Sequence, residues 1–317
     1  MSAILGQLLA VLTAACFATV STVWSYVGKQ IGSNTVTHIR LWLALPLIMV
    51  VHLFMTGVAF PLHLDTTATV LFLISGLLGF TIADLFIFRS LVLIGVRETL
   101  IILTLAPIIG TIISWFVLGE TLTYLQITGI LVTTGGVMWV IYEEGKIRNS
   151  KIRNKAGVNV EANVKANIEV NQNKNLGVPF ALAGALGQAL ANIFSKAGMY
   201  SDIHPISGTF LRIIAGLAGL VVFSLLQKSF IDDFRKMRNI KLTAILAGAA
   251  LVGPIMGVLL TLYALRIAPV GIVTALVQVS PILLLPFDYF VLKKKVTLRV
   301  ILGTFIAIGG AAILFIY

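Results

Sequence analysis

The chain has 317 residues, 58% of them hydrophobic and only 11% charged, with a formal net charge of +11. Soluble domains carry about a quarter charged residues, so a water-covered surface is excluded, and the mean hydropathy of +1.03 points to lipid as solvent. In lipid every backbone N–H and C=O must bond internally, which leaves helices or a closed barrel. The apolar runs are near-continuous and about 20 residues long, enough to cross the hydrocarbon as helices; barrel strands would alternate in polarity.

The positive charge does not indicate nucleic acid, because the basic residues sit at the ends of apolar runs, where they anchor helices. The single cysteine, Cys16, can form no intrachain disulfide. No Cys/His spacing suggests a metal, and no cofactor is expected.

Taken in chain order, the runs fall at 3–27, 36–56, 67–89, 97–118 and 124–142, here helices 1 to 5. The first is too long for a signal peptide and no basic segment precedes it. They resume at 177–199, 206–227, 241–264, 269–292 and 298–317, helices 6 to 10. Between them, 143–175 is asparagine-rich and polar and holds KIRN twice; it has no apolar period and reads as a flexible connector. In 228–241, Phe230, Ile231, Phe234 and Met237 recur at helical spacing among charges. That predicts a short amphipathic segment in the interface, with an ordinary solvated loop as the alternative.

An internal repeat sets the architecture. Shifted by 174 residues, 69–142 overlays 243–316 without a gap: Gly79 meets Gly253, Pro107 meets Pro281, Gly129 meets Gly303, and Gly135-Gly136 meets Gly309-Gly310. Upstream, Arg40 meets Arg212 at a shift of 172. Generic hydrophobicity would not align glycines and prolines. The expected organisation is 1–142 as a first five-helix repeat, 143–175 as linker and 176–317 as a second repeat. Five crossings are odd, so the copies are inverted, as in secondary transporters whose substrate site lies near the midplane.

Orientation follows from Lys and Arg. Twenty fall on the face holding the central linker and three (Lys196, Arg212, Arg266) on the other; without the linker the ratio is 13 to 3. The positive-inside rule then places the linker in the cytoplasm and both termini outside.

The segment LAPIIGTIISWFVLGETLTYLQITGILVTTGGVMWVIY (105–142) resembles the signature of the EamA family of the drug/metabolite transporter superfamily: a proline in helix 4, Gly-Glu at its end, Leu-Thr, and a glycine-rich helix 5. VSPILLLPFDYFVLKKKVTLRVILGTFIAIGGAAILFIY (279–317) repeats it, LTLYALRIAPVG (260–271) precedes it, and Arg40 and Arg212 sit where the family carries an arginine. The resemblance covers both halves and excludes the linker. It departs at Lys294, which stands where the first half has Glu120, and in the segment after helix 2, which lacks the basic residues usual in the family. It implies a ten-helix cell-membrane carrier exporting or exchanging amino acids or similar metabolites. One chain suffices, since it contains both halves, and oligomers remain open. A channel or a non-transporting sensor of the same fold is the alternative.

Polar groups inside lipid are functional candidates by default. Asp84 in helix 3 is the sharpest, as a substrate-cavity carboxylate or a proton carrier; its alternatives are a structural pair with Arg89 or a wet position near the interface. Gln188, Asn192 and Lys196 form one polar stripe on helix 6, a cavity wall or interhelical glue. Tyr263 and Gln278 are further cavity candidates. Trp24 is a cavity aromatic or a member of the interfacial belt, the belt being favoured. Gly79, Gly253 and Pro254 mark breaks at matching places in helices 3 and 8. Glu120 is expected to cap helix 5 or pair across the turn; the histidines show no ligand spacing. An intramembrane enzyme would need a paired nucleophile and base or an HExxH; a pump would need GxxxxGK[ST]; neither occurs.

Overall fold

A computed structural model describes residues 2–61, 64–155, 160–201, 203–236, 239–290 and 297–316. Its elements are helical throughout the described residues. Nine helices among them are long and apolar enough to cross a membrane, and Val270–Pro286 is a shorter apolar tenth. Large apolar side chains stand outward along them, such as Phe54, Phe116 and Phe305. This is the lipid-facing surface of an all-α, multi-pass membrane protein built of ten helices in two repeats.

The repeats exchange partners. Helix 1 (Ser2–Ile31) packs on helices 8 and 9, and helix 6, within Val160–Gly198, packs on helices 3 and 4. Helix 2 (Ser33–Thr56) lies against helix 7 (Pro205–Leu226), and helix 5, within Tyr124–Lys155, against helix 10 (Leu298–Ile316). Each contact has its counterpart in the other repeat. Gln7 of helix 1 also donates from Nε2 to the carbonyl of Leu314, 307 residues away.

Glycine sets the closeness of the helix 5–helix 10 seam. A Cβ on Gly136 would fall onto the backbone nitrogen of Ala307, and one on Gly310 onto that of Thr133. The two clashes are the same contact seen from either repeat, since both pairs differ by 174. Without a hydrophobic drive between helices in lipid, such close backbone approach supplies the attraction.

Helices 3 (Thr66–Leu93) and 8 (Ile240–Ile267) each contain a π-helical stretch at mid-length, Leu77–Ala83 and Leu251–Gly257. These too are 174 residues apart, so the expected weak points are real departures from α geometry. In helix 8 the cause is Pro254, which lacks an N–H and crowds the carbonyl four residues back. A π register offers that carbonyl the N–H of the next residue. In helix 3 the stretch is pinned from outside: Thr81 Oγ1 donates to the Gly216 carbonyl of helix 7, 3.0 Å away.

Helices 4 and 9 are each broken once, after Leu103 and after Val277, again 174 residues apart. Pro107 and Pro281 explain both, because proline cannot serve the carbonyl four positions earlier. The freed Leu103 carbonyl accepts from Gln278 Nε2 at 2.9 Å and the freed Val277 carbonyl from Ser280 Oγ at 2.6 Å.

Three expectations change. Helix 5 continues to Lys155 and the next helix starts at Val160, so most backbone of 143–175 is helical where an irregular connector was expected. These extensions carry no apolar stripe to bury. The segment after helix 7 forms a short helix, Phe230–Lys236, but it docks on helix 2: Asp233 is buried, and His38 and Trp42 pack against Phe234. Third, Arg40, Lys196 and Arg212 are buried rather than anchored in headgroups; removing them leaves Arg266 alone on the basic-poor face. His63, Met237, Lys293, Lys294, Lys295 and residues 156–159 lie outside the described residues, as do the side chains of Arg97 and Asp288.

Candidate functional site

The two arginines that correspond between repeats enter the bundle from opposite ends. Arg40 is the eighth residue of helix 2 and Arg212 the eighth of helix 7, about 10 Å along their helices at 1.5 Å per residue. They are 8% and 6% exposed. Each faces the environment of a π stretch. The Arg40 guanidinium lies 4.7 Å from the Trp24 ring centroid. Trp24 in turn occupies the space a side chain at Gly253 would need, with its Cζ2 3.0 Å from where that Cβ would stand. The Arg212 guanidinium lies 5.5 Å from the centroid of Phe80, at the centre of the helix 3 stretch. Its Nη2 is 3.4 Å from where a Gly79 Cβ would be.

The electrostatics of the two differ. Arg40 Nη2 pairs with Asp84 Oδ2, a carboxylate just past the helix 3 π stretch. Arg212 has no ion pair and no hydrogen bond among the described residues, and its Nε is buried without a partner. A cation–π contact is worth about 0.5–2 kcal/mol, whereas removing an ion from water costs several kcal/mol. Phe80 therefore does not compensate Arg212, and arginine cannot escape by losing its proton.

Asp84 thus has a partner, Arg40 rather than Arg89. Trp24 lies inside the bundle and not in the interfacial belt: its Nε1 is buried and unbonded, and its ring covers Arg40. Gly79, Gly253 and Pro254 all lie in the π stretches. Gln188 and Asn192 lie half-buried on the helix 6 face that also buries Ala185, Ala189 and Ser195, and no protein group bonds them. Ala191, beside Asn192, touches the Gly79 position. These residues cluster around the midplane.

Others do not join them. Tyr263 sits at the end of helix 8, where its hydroxyl meets His204 Nε2 at 3.3 Å. Gln278 is spent on the Leu103 carbonyl. Lys196, the last member of the helix 6 stripe, donates to the Ala268 carbonyl at 2.7 Å and pairs with Glu120. Glu120 Oε2 accepts from the backbone N–H of Val270, so it caps helix 9 rather than helix 5. Helix 5 is closed by its own capping box, Thr123 with Gln126.

Both ends of the bundle are tied between repeats. On the linker-poor end Glu120 of the first repeat holds Lys196 and Val270 of the second. On the linker-rich end Asp233 of the second repeat accepts from Thr35 at 2.7 Å and meets His38 Nδ1 at 3.2 Å. Trp42 Nε1 donates to His38 Nε2, which leaves the ring proton on Nδ1, facing Asp233.

Sequence reasoning noted Arg40 and Arg212 only as matched positions and counted them as topology charges. Their signal was present: arginines eight residues inside apolar helices, at corresponding places in two repeats. The Glu120–Lys196 tie left no local pattern, because its partners are 76 positions apart.

A crystal structure described only as that of a protein shares the fold, with a TM-score of 0.69, 15% identity, and coverage of 98% of this chain and 96% of that one. No curated protein matches. The family model for the EamA-like transporter family matches twice, over residues 4–142 and 175–316. With ten apolar helices, two repeats and that double match, the chain belongs to the EamA-like transporter family of the drug/metabolite transporter superfamily.

Proposed function

We propose that this chain is a secondary transporter of small organic metabolites, amino acids or similar solutes, that exports or exchanges them by alternating access around the midplane. The observation that carries this reading is the pair of buried arginines at matching π stretches of opposite repeats. Irregular backbone and charge at membrane depth are tolerated where they line a solute path. Asp84, Trp24, Gln188 and Asn192 line that path with them. Because a tie between repeats closes each end, the arrangement corresponds to an occluded state. Opening toward the linker-rich face breaks the His38–Asp233 contact and leaves Glu120–Lys196 intact; opening the other way does the reverse. The basic-rich face, including the 143–175 connector, lies in the cytoplasm on this reading. A single chain contains the complete path.

Protons are the candidate coupling ion, with Asp84 as carrier. Since Asp84 is paired with Arg40, taking up a proton requires that pair to part during the cycle. The test is counterflow in proteoliposomes with pooled radiolabelled amino acids, sugars and nucleosides, with and without a pH gradient. Saturable counterflow of one pool, with Asp84→Asn abolishing the response to the gradient, is the expected result. Unsaturable flux would instead identify a channel, and no flux from folded protein a sensor.

A further inference from the structure

We propose that Arg212 is the seat of a substrate carboxylate, and that the transported solute is therefore a carboxylic acid or amino acid held by its carboxylate. This deepens the transporter reading and rests on it for the word transported, but the anion seat itself stands on separate observations.

The first is the unanswered charge. Arg212 is 6% exposed, bonded to nothing among the described residues, and stacked on Phe80. A guanidinium packed by one face on a ring still presents its N–H edge, the fork that binds a carboxylate in bidentate fashion. The second is the mismatch between repeats. Arg40 and Arg212 correspond, and Arg40 has Asp84. The position 174 residues beyond Asp84 is Val258. The first repeat therefore carries its own carboxylate and the second repeat omits it. A ligand carboxylate would complete the pair that the second repeat lacks. The third is room. Gly79 keeps a side chain from the space next to Nη2, and Gln188 and Asn192 of helix 6 offer unbonded amides on the interior face.

Charge balance fixes the class. With Arg40 neutralised by Asp84, the midplane has one spare positive charge. A monoanion matches it; a phosphate monoester, carrying nearly two negative charges at neutral pH, would leave one unanswered. A zwitterionic amino acid is admitted through its carboxylate, with its ammonium group placed toward the Gln188 and Asn192 amides.

The test uses the purified full chain in detergent and a panel of amino acids and short monocarboxylates. Each is matched with its neutral-carbonyl amide, and glycerol phosphate is added as a phosphate monoester. Thermal stabilisation is the readout, because a ligand that binds the folded state raises its melting temperature whether or not it is transported. At least one carboxylate should stabilise the protein while its amide does not. Arg212→Gln should abolish that response, with at least a 100-fold loss of affinity, and should itself fold with a melting temperature at or above that of the unmodified chain, since it removes an unpaired buried charge. Val258→Asp should raise the ligand-free melting temperature and make the protein indifferent to carboxylates. Should Val258→Asp not fold, Arg212→Gln decides alone.

Equal stabilisation by acids and amides, stabilisation that survives Arg212→Gln, a response to glycerol phosphate alone, or no response across the panel each overturns the seat. Counterflow separates the two claims. Exchange of a neutral pool unaffected by Arg212→Gln keeps the transporter and removes the seat. Arg212-dependent stabilisation by a carboxylate without any counterflow keeps the seat and removes the transporter.

Discussion

Replacing Glu120 with alanine should be among the most damaging single changes outside the midplane. Its carboxylate and the Lys196 ammonium are each about 10% exposed, so neither finds bulk water when the other is lost. In the Glu120→Ala variant Lys196 keeps only the Ala268 carbonyl, and the Val270 N–H loses its acceptor. Breaking a buried pair from one side costs about 3–5 kcal/mol, and losing a helix N-cap about 1 kcal/mol more. Glu120→Gln retains an oxygen for Val270 and should cost only the first of these. Glu120→Gln combined with Lys196→Met removes both charges and should recover most of the loss, because a buried pair exchanged for apolar bulk is often neutral. Equilibrium unfolding in mixed micelles of the four proteins gives the coupling free energy directly. The reasoning fails if Glu120→Ala lies within about 1 kcal/mol of the unmodified chain, or if the double variant is as unstable as the summed singles.

Gly136→Ala and Gly310→Ala should each destabilise by about 1–3 kcal/mol through overpacking, and by similar amounts, since they probe one seam from its two sides; micelle unfolding checks both. Gln278→Leu should cost about 1 kcal/mol by stranding the Leu103 carbonyl, within the range of interhelical hydrogen bonds in membranes, measured in the same way. At the linker-poor end, His204 accepts from the Ile206 N–H to cap helix 7. Partial burial, with His52 and Arg266 nearby, pushes its imidazole below the ordinary value of 6.5. A depressed histidine contributes stability that is complete above the unfolded value and declines as the pH falls through the folded one. Melting temperature should therefore sag below about pH 6.5, and His204→Asn, which keeps a capping oxygen, should remove that portion of the sag.

Most of the architecture was legible in the sequence because it is periodic or repeated. The offset of 174 aligned Gly79 with Gly253 and pointed to the middle of helices 3 and 8, and the π stretches lie there. The breaks in helices 4 and 9 were legible in principle: Pro107 and Pro281 each strand a carbonyl four residues earlier, yet the runs 97–118 and 269–292 look unbroken by hydropathy alone. What stayed hidden were pairings across the interior. Arg40 with Asp84, Glu120 with Lys196 and His38 with Asp233 join helices whose rotation about their axes no local pattern encodes. The same blindness made intramembrane arginines look like headgroup anchors, since a count of charges per face ignores depth. Helical backbone beyond residue 143 was missed for the opposite reason: hydrogen bonding along a helix needs no apolar stripe, and the stripe was the signal sought.

The bond from Gln7 to Leu314 bears on how the protein is made. Helix 1 enters the membrane first, but the groups that satisfy it belong to helices 8, 9 and 10. Helices 3 and 4 likewise wait for helix 6. Order of synthesis and order of packing are thus interleaved, and a ribosome halted after helix 5 leaves five inserted helices with few of their final neighbours. Assembly can finish only when the last helix is released, so the two halves made as separate chains in one cell should find each other, while either half made alone should remain a target for membrane proteases.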